Sequence, residues 1–291
     1  MTIFWGVKIK EVNRLYIDIK TLSLVALLII VFSSFAYSSD IARTLRTNAD
    51  QESEPENFFE IGLGAGVWVG SSLTDEDGKG VGISLNASGS YNWNGFFIDF
   101  FGETSEEVVV GYNAYEHNNW SFDVVLGGTG NGITQDNDKE GLFEGLNKRE
   151  GSMPLGVRAT GYYGENIIQL SLKQDISGRS QATIASALIG RNWQYRNWNF
   201  HGLAELNFAT AKLEDYFFGV SEEEANRTNF SAYEGKASVK FNSSIGVTYP
   251  ISEHWIYRAT VSAGLGSNNS PLFAKSRNFY IGISTSISYV F

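Results

Sequence analysis

The sequence predicts an all-β protein, a transmembrane antiparallel up-and-down β-barrel of about twelve strands, with roughly ten to fourteen as the range. Three observations support this class: the composition, a two-residue hydrophobic period, and an alternation of short and long connections. The 291-residue chain contains 31 Gly, 20 Phe, 14 Tyr and 7 Trp. Glycine and aromatic residues are poor to middling helix formers, and aromatic residues favour strands.

The first segment is predicted to be an export signal. Residues 22–36 form an apolar run, which basic residues precede and the small-residue site Ala36-Tyr37-Ser38 follows. These features are typical of a secretory signal peptide, predicted over residues 1–38. The run is shorter than the ~20 residues that a transmembrane helix needs. Residues 39–57 are polar and acidic and predict a short flexible periplasmic lead-in, so the predicted barrel occupies residues 58–291.

Apolar residues alternate with small or polar residues through the rest of the chain. The pattern is clearest at the C-terminus, where Ile283, Ile287 and Phe291 alternate with Ser284 and Ser288. Successive side chains of a strand point to opposite faces, so one face of this strand is apolar and the other is small and polar. The same reasoning predicts strands over residues 59–69, 81–93, 96–102, 106–114, 120–128, 154–163, 167–175, 181–193, 198–209, 239–249, 255–265 and 279–291.

Two architectures fit such strands: a soluble sandwich or barrel with the apolar face inside, and a membrane barrel with that face outside. The sequence favours the membrane barrel, because the clearest strands run to roughly 10–13 residues and suit a tilted span. Their other face carries Gly, Ser and Asn rather than Lys and Glu. Short connections also alternate with longer ones, as in outer-membrane barrels.

Aromatic residues flank the short connections, as expected for a girdle at a membrane interface. The pairs are Tyr91 and Trp93, Tyr115 and Trp120, Tyr162 and Tyr163, Trp193 and Trp198, and Tyr249 and Trp255. The rim of short turns is therefore predicted to be the periplasmic one.

Charged residues of both signs fall on the predicted lumen-facing side of the strands. They are Glu60, Asp99, Asp123, Arg158, Lys173, Glu205, Lys240 and Arg258. Such charges can pair and fill a barrel, or line a selective pore. About twelve strands give an interior much narrower than that of open porins. The sequence favours a mostly filled lumen crossed by ion pairs, with a small-solute channel as the alternative.

The sequence predicts no enzyme activity, no cofactor and no metal site. The absence of Cys excludes thiol catalysis and Cys-ligated metals. His117 and His254 fall at predicted short turns, and His201 faces the predicted lumen ~13 Å along the strand from Glu205. Residues 75–78 lack the acidic ligand that closes a calcium loop. A formal charge of −10 without a basic block argues against nucleic acid as a partner.

The last residues predict recognition by the barrel-assembly machinery. Phe291, Tyr289 and Ile287 share one face of the final predicted strand. A full strand that ends on an aromatic residue resembles the C-terminal signal that this machinery reads. The expected location is the outer membrane of a Gram-negative cell, in contact with outer-membrane lipid and lipopolysaccharide.

Several segments share their order and spacing with one known family. They are Tyr216, Phe217, Phe218, Gly219 and Val220, then Glu224, Ala225 and Tyr233, then Ser270, Pro271 and Leu272, together with residues 141–149 and 287–291. Over residues 58–291 the chain resembles the MipA/OmpV family of outer-membrane proteins. The resemblance implies a scaffold that brings a murein hydrolase, the lytic transglycosylase, together with a bifunctional penicillin-binding protein in cell-wall remodelling. A narrow porin-like channel and a surface adhesin are the alternatives.

Overall fold

The computed structural model describes residues 57–74, 77–100, 108–129, 141–266 and 269–291. The predicted signal peptide and all of the lead-in except Asn57 lie outside the described residues, as do the predicted loop at 102–105 and part of the acidic segment 75–78. The described strands are β1 (Phe58–Val69), β2 (Lys79–Trp93), β3 (Phe96–Phe100), β4 (Val108–His117), β5 (Trp120–Gly127), β6 (Pro154–Tyr163), β7 (Asn166–Asp175), β8 (Thr183–Tyr195), β9 (Trp198–Ala209), β10 (Ser238–Pro250), β11 (Trp255–Leu265) and β12 (Phe279–Val290).

Two short helices interrupt the connection between β9 and β10, where the sequence predicted only a long loop. They are α1 (Ala211–Phe218) and α2 (Glu222–Arg227). Ser221 caps α2 and forms a reciprocal capping box with Glu224. No helix within the described ranges is long and apolar enough to cross a membrane.

The twelve strands form one closed antiparallel barrel. Each strand pairs with its neighbours in sequence, and β1 pairs with β12 to close the ring, with Leu63 opposite Ile287. Closure leaves no unpaired strand edge, which is a requirement for strands that cross lipid. The predicted fold class and strand number are therefore confirmed.

Several strand boundaries differ from the prediction by one to three residues, and two of the differences have a clear structural cause. β4 continues to His117 rather than stopping at 114, because the pairing with β5 shifts between Asn113 and Tyr115 and the strand resumes after this irregularity. β8 begins at Thr183 rather than 181. The backbone N–H of Gln181 instead donates to the carboxylate of Asp175, 2.9 Å away, which holds it in the preceding turn.

The apolar face of the barrel points outward. Ile83 and Leu85 are 74% and 67% exposed, whereas Ser84 between them is 2% exposed and faces the interior. A soluble barrel would show the reverse arrangement, because exposed apolar area of this extent is unfavourable in water. The outward apolar surface is the one expected to contact lipid.

The lumen contains two apolar clusters that the sequence did not predict. One comprises Phe97, Val109 and Val125, and the other comprises Ile167, Leu188 and Leu203 with Tyr162 against them. The assignment of Tyr162 to the interfacial girdle is therefore wrong. Strand alternation turns Tyr162 inward, and its neighbour Tyr163 alone faces outward at this position.

Both ends of the barrel segment lie at the same rim. The N–H of Phe291 donates to the carbonyl of Phe59 at 2.9 Å, and the short turns that join consecutive strands lie at this rim. In the turn between β2 and β3, Asn94 and Gly95 have φ angles of 48° and 83°, as a two-residue hairpin turn requires. Short turns face the periplasm in outer-membrane barrels, so the longer loops and both helices lie on the outer side.

Replacing Ile283 with Arg is expected to destabilise the barrel by about 2–4 kcal/mol, because the side chain lies near the middle of β12 on the lipid-facing side. The neighbouring change Ser284→Arg is the matched control and is expected to cost much less, since Ser284 faces the lumen and is only half-buried. Urea unfolding in lipid vesicles measures both free energies. Equal losses would contradict the outward assignment of the apolar face.

Candidate functional site

The predicted lumen charges lie on eight different strands, all at inward-facing positions. Glu60 pairs with Arg258, and Asp123 pairs with Arg158. Arg258 donates two hydrogen bonds to Glu60, at 2.9 and 3.1 Å, and Ser88 donates a third to the same carboxylate. Arg158 Nε donates to Asp123 at 2.9 Å, with both side chains buried. Both pairs lie along the inner wall: Asp123 and Arg158 face each other on the adjacent strands β5 and β6, and Glu60 and Arg258 lie on β1 and β11, with β12 between them.

The remaining predicted charges have other surroundings. Asp99 accepts a hydrogen bond from the Ser90 hydroxyl at 2.5 Å. Lys173 and Glu205 face the lumen and are buried there. Lys240 reaches toward the outer rim, where its ammonium lies 2.7 Å from the Glu214 carboxylate of α1, a partner that the sequence did not predict.

Neutral polar side chains fill the periplasmic end of the lumen. Asn192 lies opposite His201, and Asn199 lies opposite Thr248, on the inner faces of β8, β9 and β10. All four are buried. A Cβ at Gly246 would lie 2.3 Å from His201 Nε2, so only glycine leaves room for this imidazole. Within the described ranges, no group of three or more His, Cys, Asp or Glu side chains is arranged to hold a metal ion.

At the outer rim, three long loops, joined by Leu73 from the loop between β1 and β2, meet in one structure, which we call the loop cap. It comprises residues 141–150 between β5 and β6, residues 211–233 with α1 and α2, and residues 270–273 between β11 and β12. Its apolar centre consists of Phe143, Leu146, Val220 and Leu272, all buried, with Leu73, Ala225, Phe230 and Tyr233 packed around them. The loop cap therefore has a small hydrophobic core of its own, which is formed by the loops at the outer rim and is separate from the barrel strands.

A buried ion pair joins two of these loops. Arg149 and Glu224 are 5% and 3% exposed, and Arg149 Nη2 lies 3.1 Å from Glu224 Oε1. The guanidinium also donates to the backbone carbonyls of Tyr216, Gly219 and Asn147, at 3.0, 2.7 and 3.0 Å. A buried charge is tolerated when its hydrogen bonds are satisfied in this way.

The Glu224 carboxylate is held in its charged form. Burial raises the pKa of Glu224, but the backbone N–H donors of Ser221 and Asn147 and the charge of Arg149 outweigh burial. The pKa therefore lies below its ordinary value. Glu224 links α2 to the loop that carries Arg149 through the same hydrogen bonds.

The family segments other than residues 287–291 converge in the loop cap. The Tyr216 hydroxyl donates to the carbonyl of Glu150 at 2.9 Å, and the Ser270 hydroxyl donates to the carbonyl of Phe218 at 2.6 Å. Val220 and Tyr233 exchange two backbone hydrogen bonds, at 2.8 and 2.9 Å. Gly219 ends α1 and Phe217 packs edge-on against the Tyr216 ring, while Pro271 lies in the loop between Ser270 and Leu272.

Lowering the pH is expected to loosen the loop cap before it affects the barrel. The folded-state pKa of Glu224 is lowered, so the ionised carboxylate stabilises the loop cap. This stabilisation is complete above the unfolded-state pKa of about 4.3 and is lost as the pH falls through the folded-state pKa. Limited proteolysis of the loops at stepped pH measures this change. In Glu224→Gln the acid-induced increase in cleavage should be smaller; an unchanged pH profile in that variant would contradict the assignment.

A closed barrel with an apolar outer belt, a polar lumen and both ends at the short-turn rim defines an integral outer-membrane β-barrel protein. A sequence model of the family described as MltA-interacting protein MipA matches residues 63–291. The chain belongs to this MipA family, and with it the MipA/OmpV resemblance and the outer-membrane location predicted from the sequence are confirmed.

Named relatives are consistent with that location. Outer membrane protein Omp26La of Vibrio anguillarum is 24% identical over 211 residues, which is 72% of this chain and 75% of that protein. Outer membrane protein OmpV of Vibrio cholerae is 24% identical over 244 residues, 77% of this chain and 84% of that protein.

Similarity to solved structures is weak. OprD of Pseudomonas aeruginosa is 10% identical with a TM-score of 0.37, covering 82% of this chain and 68% of that one. An anion-selective porin from Comamonas acidovorans is 8% identical with a TM-score of 0.35, covering 81% and 99%. Scores of this size carry no argument about function.

Proposed function

We propose that this protein is a docking scaffold in the outer membrane that holds a murein lytic transglycosylase, and with it a penicillin-binding protein, at its periplasmic face. The observation that carries the proposal is the filled periplasmic half of the lumen. The family description, MltA-interacting protein, supplies the class of partner. A barrel that conducts nothing can still anchor and position soluble enzymes beneath the membrane.

The packing of the lumen supports an anchoring role over a transport role. The pair Glu60–Arg258 and the buried Asn192, Asn199 and His201 lie near the periplasmic end. A solute leaving there would have to displace these packed side chains. Separating Arg258 from Glu60 would leave two lumen charges unpaired, which is unfavourable.

The periplasmic rim offers charged groups to a soluble partner. Glu116, Glu165, Arg196 and Glu253 are exposed at or beside four different short turns. Exposed charges at a rim steer association and set the orientation of a partner more than they set its affinity. Phe58, the first residue of β1, lies on the same side of the barrel.

Crosslinking in intact cells, followed by solubilisation and purification of this protein, tests the proposal. We expect recovery of a murein lytic transglycosylase, and a reduced yield from the rim variant Arg196→Glu. The outer-side variant Arg227→Glu is the matched control, because Arg227 lies at the end of α2 in the loop cap. Failure to recover any murein enzyme, or equal losses in both variants, would contradict a periplasmic docking role.

A narrow channel is the second candidate, since polar residues in the outer half of the lumen are accessible to solvent. Planar-bilayer recordings separate the two. The scaffold is expected to give no steady unitary currents. Reproducible current steps that increase when Arg258→Ala removes the Glu60 pair would favour the channel.

A further inference from the structure

On the side formed by β10, β11 and β12, the middle and outer part of the lumen differ from the filled periplasmic half. Six inward-facing polar residues on three adjacent strands are half-buried or exposed: Asn242, Ser244, Thr260, Ser262, Ser284 and Ser286. In a closed barrel, an inward-facing side chain reaches solvent only where the lumen is not filled. These residues therefore line an internal space, which we call the outer vestibule.

The lining of the outer vestibule is continuous across the strands. Ser262 pairs with Ser244 on one side and Gly282 on the other, and Thr260 pairs with Ser284. Cross-strand partners stand about 5 Å apart on one face of a sheet. The hydroxyls and the Asn242 amide thus form one patch rather than scattered positions.

These polar groups retain their hydrogen-bonding capacity. Among the described residues, none of the six side chains has a hydrogen-bond partner or an ion-pair partner. Three charged positions border the patch. Arg258 pairs with Glu60 at the inner end and Lys240 with Glu214 at the outer end. Glu205, opposite Asn242 on β9, is buried at 9% exposure. The outer vestibule therefore presents neutral donors and acceptors.

Two aromatic side chains lie at the outer end of the patch, both on the lumen side. The Trp68 indole lies directly against the backbone of Gly80, where a Cβ atom would be 2.5 Å from the indole nitrogen. The Tyr280 hydroxyl lies against Gly282, where a Cβ atom would be 2.4 Å away. Glycine at these positions lets each ring rest against bare backbone. Trp68 is half-buried and Tyr280 is 37% exposed, so part of each ring faces the solvent-filled space.

A third lumen-facing ring shows the contrasting arrangement. Phe97 also lies over a glycine, Gly111, but it is 4% exposed and the Arg158 guanidinium covers it at 4.8 Å from the ring centroid. That ring serves internal packing. Trp68 and Tyr280 also lie over glycines, but they are more exposed than Phe97 and are therefore available to a ligand.

We propose that the outer vestibule binds a neutral saccharide. Sugar rings carry an apolar C–H face, which packs on aromatic rings, and a dense set of hydroxyls, which suits neutral donors and acceptors. Binding sites commonly combine aromatic surface with a few convergent polar groups. Neutral lining without a free charge selects against strongly charged solutes. This inference does not depend on the scaffold role at the opposite rim.

Calorimetry of maltotriose and cellotriose binding tests the proposal. The full barrel is refolded in an amine-oxide detergent, which has no sugar headgroup. We expect saturable binding of at least one trisaccharide, weakened roughly tenfold by Trp68→Ala and by Tyr280→Ala. The matched control is Trp198→Ala. Trp198 packs on Tyr249 on the lipid-facing side of the barrel, away from the lumen, so this change should leave binding unaltered.

A filling variant keeps the test independent of the aromatic substitutions. Ser262→Trp adds volume to the outer vestibule while leaving both rings in place, and it should abolish binding. A heat-modifiability gel verifies that each variant is a folded barrel. Absence of binding by both trisaccharides, binding that survives all three lumen substitutions, or equal binding of triglycine would overturn the proposal.

Discussion

Replacing Arg149 with Ala is expected to destabilise the loop cap by about 3–5 kcal/mol while leaving the barrel intact. The guanidinium holds the Glu224 carboxylate and three backbone carbonyls from a buried position. Its removal leaves Glu224 buried without its counter-charge. Cleavage of the loops by an added protease should then accelerate by at least about a hundredfold, because cleavage follows the population of the open loop.

Two further variants separate the loss of a charge from the loss of packing. The double change Arg149→Met with Glu224→Leu removes both charges together and should recover much of the lost protection, as apolar replacements of buried pairs do. Arg227→Ala is the matched surface control; Arg227 is exposed and donates to the Asn147 side chain at 2.6 Å. It should change protection little. Equal effects of Arg149→Ala and Arg227→Ala would contradict a central role for the buried pair.

The barrel could be predicted from the sequence because its determinants are local. Alternation along β1, β2, β10, β11 and β12 fixes which residues face lipid, and turn pairs such as Asn94-Gly95 fix the hairpins. Antiparallel pairing of sequence neighbours then leaves a single order of strands. The alternation of apolar and polar residues is weaker along the middle strands. There it predicted neither the apolar clusters in the lumen nor the inward direction of Tyr162.

The loop cap could not be predicted in the same way because its contacts join distant parts of the chain. Arg149 and Glu224 are 75 residues apart in sequence, and Ser270 contacts a carbonyl 52 residues before it. No periodicity marks such contacts. One local signal was available: Ser221 followed three residues later by Glu224 is a capping box, which would have predicted α2.

The family segments have a physical explanation once the loop cap is known. Tyr216, Val220 and Tyr233 all lie in the connection between β9 and β10, and each makes a backbone or apolar contact that closes the cap. Since these contacts lie at the outer rim, they do not form the proposed periplasmic docking surface. Scaffold function and cap stability should therefore respond to different substitutions, which is why a cap residue is a suitable control for a rim residue.

Deleting Phe291 is expected to remove most of the protein from the outer membrane of living cells, because we propose that Phe291, with Tyr289 and Ile287, is the signal read by the barrel-assembly machinery. Phe291 lies beyond the last paired residue of β12 and is exposed at the periplasmic rim. Its ring packs on Phe59 and Tyr289, with centroids 5.6 and 4.8 Å apart. These few contacts stabilise the finished barrel only modestly.

A recognition role and a stability role predict different outcomes for this deletion. If Phe291 is recognised during assembly, refolding into detergent micelles should proceed nearly as in the full-length chain while yield in cells falls. Phe291→Trp should restore much of the yield, since it keeps a terminal aromatic. Phe279→Ala, at the opposite end of the same strand, is the matched control and should leave assembly unaffected. Normal yield from the deletion would exclude recognition of Phe291, whereas parallel losses in cells and in micelles would assign it to barrel stability.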